Sequence, residues 1–182
     1  MEIPAFLRGA NGGSAGRALL RYVALGLAIL LPAVRGVAAE PVLTLSSADQ
    51  TITLSAEQFR ALPHTDLTAT DPHLKVEHRY SGVSVRDLLA KVGAPLGEKL
   101  RGQALQLAVV FHSKDGYASL FALAEFDDSF SDRTILLVDS QDGKPLPEGA
   151  GPLRVVAPGD KRAARWARMV TSIDVRPLPA SH

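Results

Sequence analysis

The chain has 182 residues, 20 Lys and Arg against 19 Asp and Glu, and no cysteine. That length favours one domain with a workable core, and the missing cysteine excludes disulfides, thiolate metal ligands and a cysteine nucleophile. A charge so close to neutral offers no bulk field for nucleic acid or an anionic membrane surface.

Residues 1–39 read as a secretory signal peptide. Arg8, Arg17 and Arg21 form a basic start, Tyr22 to Leu31 is an apolar run, and Val37-Ala38-Ala39 puts small residues before an expected cut between Ala39 and Glu40. Pro32 and Arg35 hold the apolar run well below the ~20 residues of a membrane span; a retained N-terminal anchor is the alternative. The expected product is a periplasmic or secreted single domain, residues 40–182, with no membrane attachment after cleavage. It keeps 16 of the 20 Lys and Arg and 18 of the 19 Asp and Glu, a formal charge of −2.

Val42 to Ser46 and Thr51 to Leu54 alternate apolar and polar residues on either side of a short polar turn, the pattern of a β-hairpin. Ser55 and Gln58 form a capping-box pair, which predicts a short helix from Ala56 to about Leu62, ended by Pro63. Strands are predicted around Thr65 to Thr70 and Lys75 to Tyr80, with turns at Asp71-Pro72 and Ser81-Gly82. Val85, Leu88, Leu89 and Val92 share one helical face, Ser84 stands at the N-cap and Gly93 at the C-terminal exit. After a loop over 94–102, Leu105 to Phe111 and Ala118 to Leu123 read as paired strands turning at Lys114 to Tyr117. Glu125 to Asp132 is acidic, helix or loop. Thr134 to Val138 is a buried strand, followed by an Asp142-Gly143 turn. Strands outnumber short helices, so the predicted class is α+β with a mixed or antiparallel, β-rich sheet.

The last stretch, 151–175, runs from a buried strand through a Pro158-Gly159 turn to a second strand. Between them lie Lys161, Arg162, Arg165 and Arg168, with the lone tryptophan, Trp166. With Arg154 added from the first strand, the expectation is a basic rim suited to phosphate or carboxylate, which guanidinium groups bind bidentately. The competing reading is a solvated helix face, because 161, 165 and 168 share one side of a helix. Trp166 reads as a core anchor. Asp115 and Tyr117 are either polar groups at a pocket mouth or a hairpin turn and its packing residue. His64, His73, His78 and His112 lack metal-ligand spacing and read as separate histidines. The acidic run lacks the calcium-loop pattern and reads as solvated.

Several of these pieces, in order, resemble the molybdopterin-binding domain of the sulfite-oxidase superfamily. They are Tyr80-Ser81-Gly82-Val83-Ser84-Val85-Arg86-Asp87-Leu88-Leu89, Asp115-Gly116-Tyr117, Asp142-Gly143-Lys144-Pro145-Leu146, Gly151-Pro152-Leu153-Arg154 with Val155 to Gly159, Arg165-Trp166 and Ile173-Asp174-Val175. The resemblance covers nearly all of residues 40–182 and implies a mixed α+β fold whose loops hold a pyranopterin and its phosphate. It places family basic positions at Arg154 and Arg165 and the Asp115–Tyr117 turn near the pterin pocket; Lys161 and Arg162 join these as cofactor-binding candidates from the basic rim.

The sequence departs from that family in three places. The family's enzymes hold molybdenum through a cysteine thiolate, a soft ligand with no evident substitute here. The segment that would carry it is too short between Asp71 and Tyr80, and the family's histidine before the Pro-Leu-Arg motif falls near Gly149. Holo-enzymes of this kind also leave the cytoplasm behind a twin-arginine leader, whereas Arg17 and Arg21 are four apart. The leading expectation is an exported accessory module without molybdenum and with no bound cofactor, molybdopterin being the one the resemblance allows. Its partner would be a small anionic ligand or a periplasmic protein. The alternatives are a molybdopterin-dependent oxidoreductase with a non-cysteine ligand set, and a purely structural interaction domain.

Overall fold

The computed structural model describes residues 40–178; the signal peptide expected over residues 1–39 lies outside them. Strand β1 (Pro41–Ser46) pairs with β2 (Thr51–Ser55) as the expected hairpin. Ser55 then caps helix α1 (Ala56–Arg60): its hydroxyl accepts from the Gln58 amide while the Gln58 side chain accepts from the Ser55 amide, so two orphan donors are satisfied reciprocally. The helix ends sooner than expected, at Arg60, and buries Phe59.

Strands β3 (Thr65–Thr70) and β4 (Glu77–Ser84) form a second hairpin. The turn expected at Ser81-Gly82 does not exist. Both residues continue β4, which crosses to pair with β7 (Leu136–Gln141). The glycine serves close approach: a Cβ at Gly82 would stand 2.3 Å from the Leu137 carbonyl oxygen. Helix α2 (Val85–Lys91) buries Val85, Leu88 and Leu89, as its periodicity required. Ser84 is at the N-cap, but its side chain makes no capping bond; the Val85 amide instead donates to the Ile135 carbonyl. Gly93 follows with φ +72°, a left-handed exit suited to glycine.

The remaining strands are β5 (Leu107–Ser113), β6 (Ala118–Ala122), β8 (Lys144–Pro145), β9 (Arg154–Val156) and β10 (Val170–Pro177). One sheet runs β2-β1-β10-β5-β6, with β1 and β10 parallel and the other pairs antiparallel; the second runs β3-β4-β7-β8, with β9 also on β7. A single apolar core joins both sheets and both helices through residues such as Leu45, Phe111 and Phe121 from the first and Leu137 and Val155 from the second. The class is therefore α+β with one mixed and one antiparallel sheet. The segment 161–168 is not the helix face that its spacing allowed: it holds one short 3-10 turn, Ala163–Arg165, between irregular stretches.

Candidate functional site

Arg154 does not stand on a rim. It belongs to β9, which pairs with β7, and is 4% exposed. Its Nη2 donates to Asp71 Oδ2 at 2.7 Å, and its guanidinium lies over the Trp166 ring at 5.3 Å. Asp71, itself 1% exposed, also accepts from the amides of His73 and Leu74 at 2.7 and 3.0 Å. Burial pushes the Asp71 carboxyl up, but the Arg154 bond and the two amides outweigh it and hold the group at about 2. Asp71 thus organises the 71–76 turn from inside. Its backbone closes the same turn, its carbonyl accepting from Lys75 and its amide donating to Val76. Trp166 is buried as expected, donates to the Ala157 carbonyl at 2.9 Å and meets Tyr80 edge-to-face.

Arg165 is likewise engaged within the chain. It donates to both carboxylate oxygens of Asp160, at 3.0 and 2.7 Å, and to both of Glu125, at 3.1 and 2.9 Å. Arg133 closes the ring, reaching Glu125 at 2.5 Å and Asp160 at 2.8 Å. Two arginines and two carboxylates therefore form a neutral square over the Phe121 ring, 4.3 Å from the Arg165 guanidinium carbon. These bonds hold the Arg165 guanidinium in its charged form, against the opposing effect of partial burial. Part of the acidic run is consequently not solvated: Glu125 is an ion-pair partner, and Asp127 is buried, accepting from the amides of Gly97 and Ser129.

Each ion-pair system fixes one wall of a hollow. The 71–76 turn presents His73 and Lys75; the 160–165 turn presents Lys161 and Arg162. The hollow between them measures about 280 Å³ and is completed by Pro72 and Ala163, with no acidic residue in its lining. Among the described residues, Lys75, Lys161 and Arg162 form no ion pair within 4.0 Å. Lys75 holds a left-handed backbone, φ +60°.

Asp115 and Tyr117 lie on a separate hollow of about 230 Å³, with Ser113, Trp166 and Arg168. Asp115 accepts from the Tyr117 amide across a turn in which Gly116 has φ +85°. The Tyr117 hydroxyl donates to the Ala164 carbonyl at 2.6 Å, which ties this turn to the basic segment. The structure thus brings Lys161 and Arg162 together with His73 and Lys75, and separates them from Arg154, Arg165, Asp115 and Tyr117. Reasoning from sequence missed His73 and Lys75 as lining residues and Asp71 as their support. The Asp71-Pro72 turn signal marked the place, but the 83-residue separation from Arg154 carries no local trace.

The four histidines do not gather. His64 pairs with Asp139, His78 with Asp142 and His112 with Asp174, each at a different place, and among the described residues no three His, Asp or Glu side chains are grouped to hold a metal ion. Arg165 does not fit an anionic pterin as it stands, because Asp160 and Glu125 already occupy its guanidinium edges; Arg154 is buried against Asp71 through Nη2 alone, its Nε left without a partner.

A family model described as the oxidoreductase molybdopterin binding domain matches residues 42–182. Among solved structures, the chain is similar to the sulfane dehydrogenase SoxCD from Paracoccus pantotrophus, with 18% identity and a TM-score of 0.55. The match covers 73% of this chain and 37% of that one, a likeness of fold alone. No curated protein matches it.

Proposed function

We propose, because the chain belongs to the molybdopterin-binding domain family of sulfite-oxidase type, that it keeps the family's fold as an exported accessory module that binds a small anion and carries out no redox chemistry. The observation that carries this reading is the cationic hollow: His73, Lys75, Lys161 and Arg162 face one 280 Å³ space, and no carboxylate lines it. Convergent, unpaired cations at a turn attract phosphate- or carboxylate-bearing ligands. The two arginines at the family's basic positions act here as supports, Arg154 behind one wall and Arg165 behind the other.

Binding without molybdenum is supported by the donor set. The chain has no thiolate, and both guanidinium groups face internal carboxylates. Export is supported by the layout of residues 1–39, with the mature protein beginning at Glu40.

Calorimetric titration of the purified protein with inorganic pyrophosphate should give saturable binding. Lys161→Ala combined with Arg162→Ala should weaken it about tenfold or more, since a charge-assisted hydrogen bond contributes about 1.5–3 kcal/mol. Unchanged affinity in the double variant would remove the hollow from the site. Stoichiometric molybdenum by elemental analysis would overturn the non-redox part and favour an oxidoreductase with an unusual ligand set.

A further inference from the structure

A larger hollow, about 460 Å³, opens elsewhere, where α1 and β1 of the first sheet face the β7–β8 hairpin and the residues leading into β9. Its apolar surface comes from Val42, Ala56 and Leu146 with prolines 145 and 152, backed by the buried Phe59 and Leu153. Two exposed cations, Arg60 and Lys144, border it from opposite elements, the end of α1 and the start of β8. Among the described residues neither forms an ion pair. The carboxylate in the lining, Asp139, faces His64 at 3.4 Å.

His64 is not placed to act as a base. Its Nδ1 lies 2.7 Å from the Leu62 carbonyl and must donate there, and its Nε2 faces Asp139. A bond from Nε2 to Asp139 as well needs the doubly protonated ring, so the pair is a polar feature of the wall. What remains to meet a ligand is an apolar floor and two free cations.

We infer that this hollow is a second ligand site, for a small amphipathic carboxylate with an aromatic or short aliphatic body. The size lies within the range of small-molecule sites, about 300–1,000 Å³, and such sites pair apolar walls with a few oriented polar groups. The apolar walls exclude a bare anion such as phosphate as the preferred ligand, since it would leave them wet. The two cations disfavour an amine. A body of phenyl or alkyl size covers Leu146 and prolines 145 and 152, while its carboxylate reaches Arg60 or Lys144 at the edge.

The test is titration calorimetry on the full-length protein with 4-phenylbutyrate, and with the neutral 4-phenylbutyramide alongside. The acid should bind one-to-one and the amide about tenfold or more weakly. Arg60→Ala with Lys144→Ala should weaken the acid to the level of the amide; both residues are exposed, so the fold should survive. Leu146→Trp should block both probes by filling the floor. Lys161→Ala with Arg162→Ala should leave the acid unaffected, which separates this site from the cationic hollow. Absence of saturable heat, equal affinity for acid and amide, or sensitivity to Lys161 and Arg162 in place of Arg60 and Lys144 would each overturn the proposal.

Discussion

At the scale of single residues, the Asp71–Arg154 pair governs how the domain responds to acid. The Asp71 carboxyl has a folded value of about 2 against an ordinary 3.8. Its stabilisation is therefore complete above pH ~4 and is lost as the pH falls from about 4 to 2, worth about 2 kcal/mol over that window. Asp71→Asn should flatten this part of the stability profile, measured by urea unfolding at stepped pH. Arg154→Ala leaves a buried carboxylate unpaired and should cost about 3–5 kcal/mol, more than removal of both partners together. An additive double variant would show that the two groups do not act as a pair. Trp166→Ala removes a side chain 2% exposed together with its bond to Ala157, and should cost about 3–5 kcal/mol in the same assay. That Trp166 is a core anchor was legible in the sequence. That Arg154 is one too was not, because a strand arginine looks the same whether it faces water or a carboxylate brought from 83 residues away.

At the scale of elements, local chemistry predicted well wherever the chain decides its own conformation. The Ser55–Gln58 box, the α2 face and the Asp142-Gly143 turn are all present; the latter has φ of +52° and +73° at its two residues. Ser55→Ala should cost about 1 kcal/mol, visible as a lowered Tm. Prediction failed where a partner strand decides. Ser81-Gly82 has the composition of a turn, yet it stays within β4 as a shift of register, with the glycine in close contact with β7. Gly82→Ala would drive a methyl into backbone atoms 2.3–2.8 Å away. The strands must separate, and the loss should reach about 3 kcal/mol or more, with faster amide exchange concentrated along β4 and β7. Exchange no faster there than elsewhere would mean that the hairpin relaxes without cost. The basic segment failed for a related reason. Its spacing suited a helix, but Asp160 and Glu125 hold Arg165 at the end of a single 3-10 turn.

At the scale of the whole molecule, the class, the strand-rich character and the family were legible. The site was legible only in its charge. Arg154 and the four cations of the 161–168 segment suggested an anion site, but which of the five are free depends on three carboxylates, Asp71, Glu125 and Asp160, that composition cannot assign to partners. The export reading has its own check: N-terminal sequencing of the protein recovered outside the cytoplasm should begin at Glu40, and recovery with Met1 intact would favour the retained anchor. Among the described residues, the first and last strands lie side by side and run the same way, with Thr44, Leu45 and Ser46 in register with Ser172, Ile173 and Asp174. A tension applied through the two ends would therefore load this pair in shear, all its hydrogen bonds together, where an antiparallel pair would unzip one rung at a time. Its failure force in a single-molecule pull should accordingly be high for a domain that no covalent cross-link reinforces.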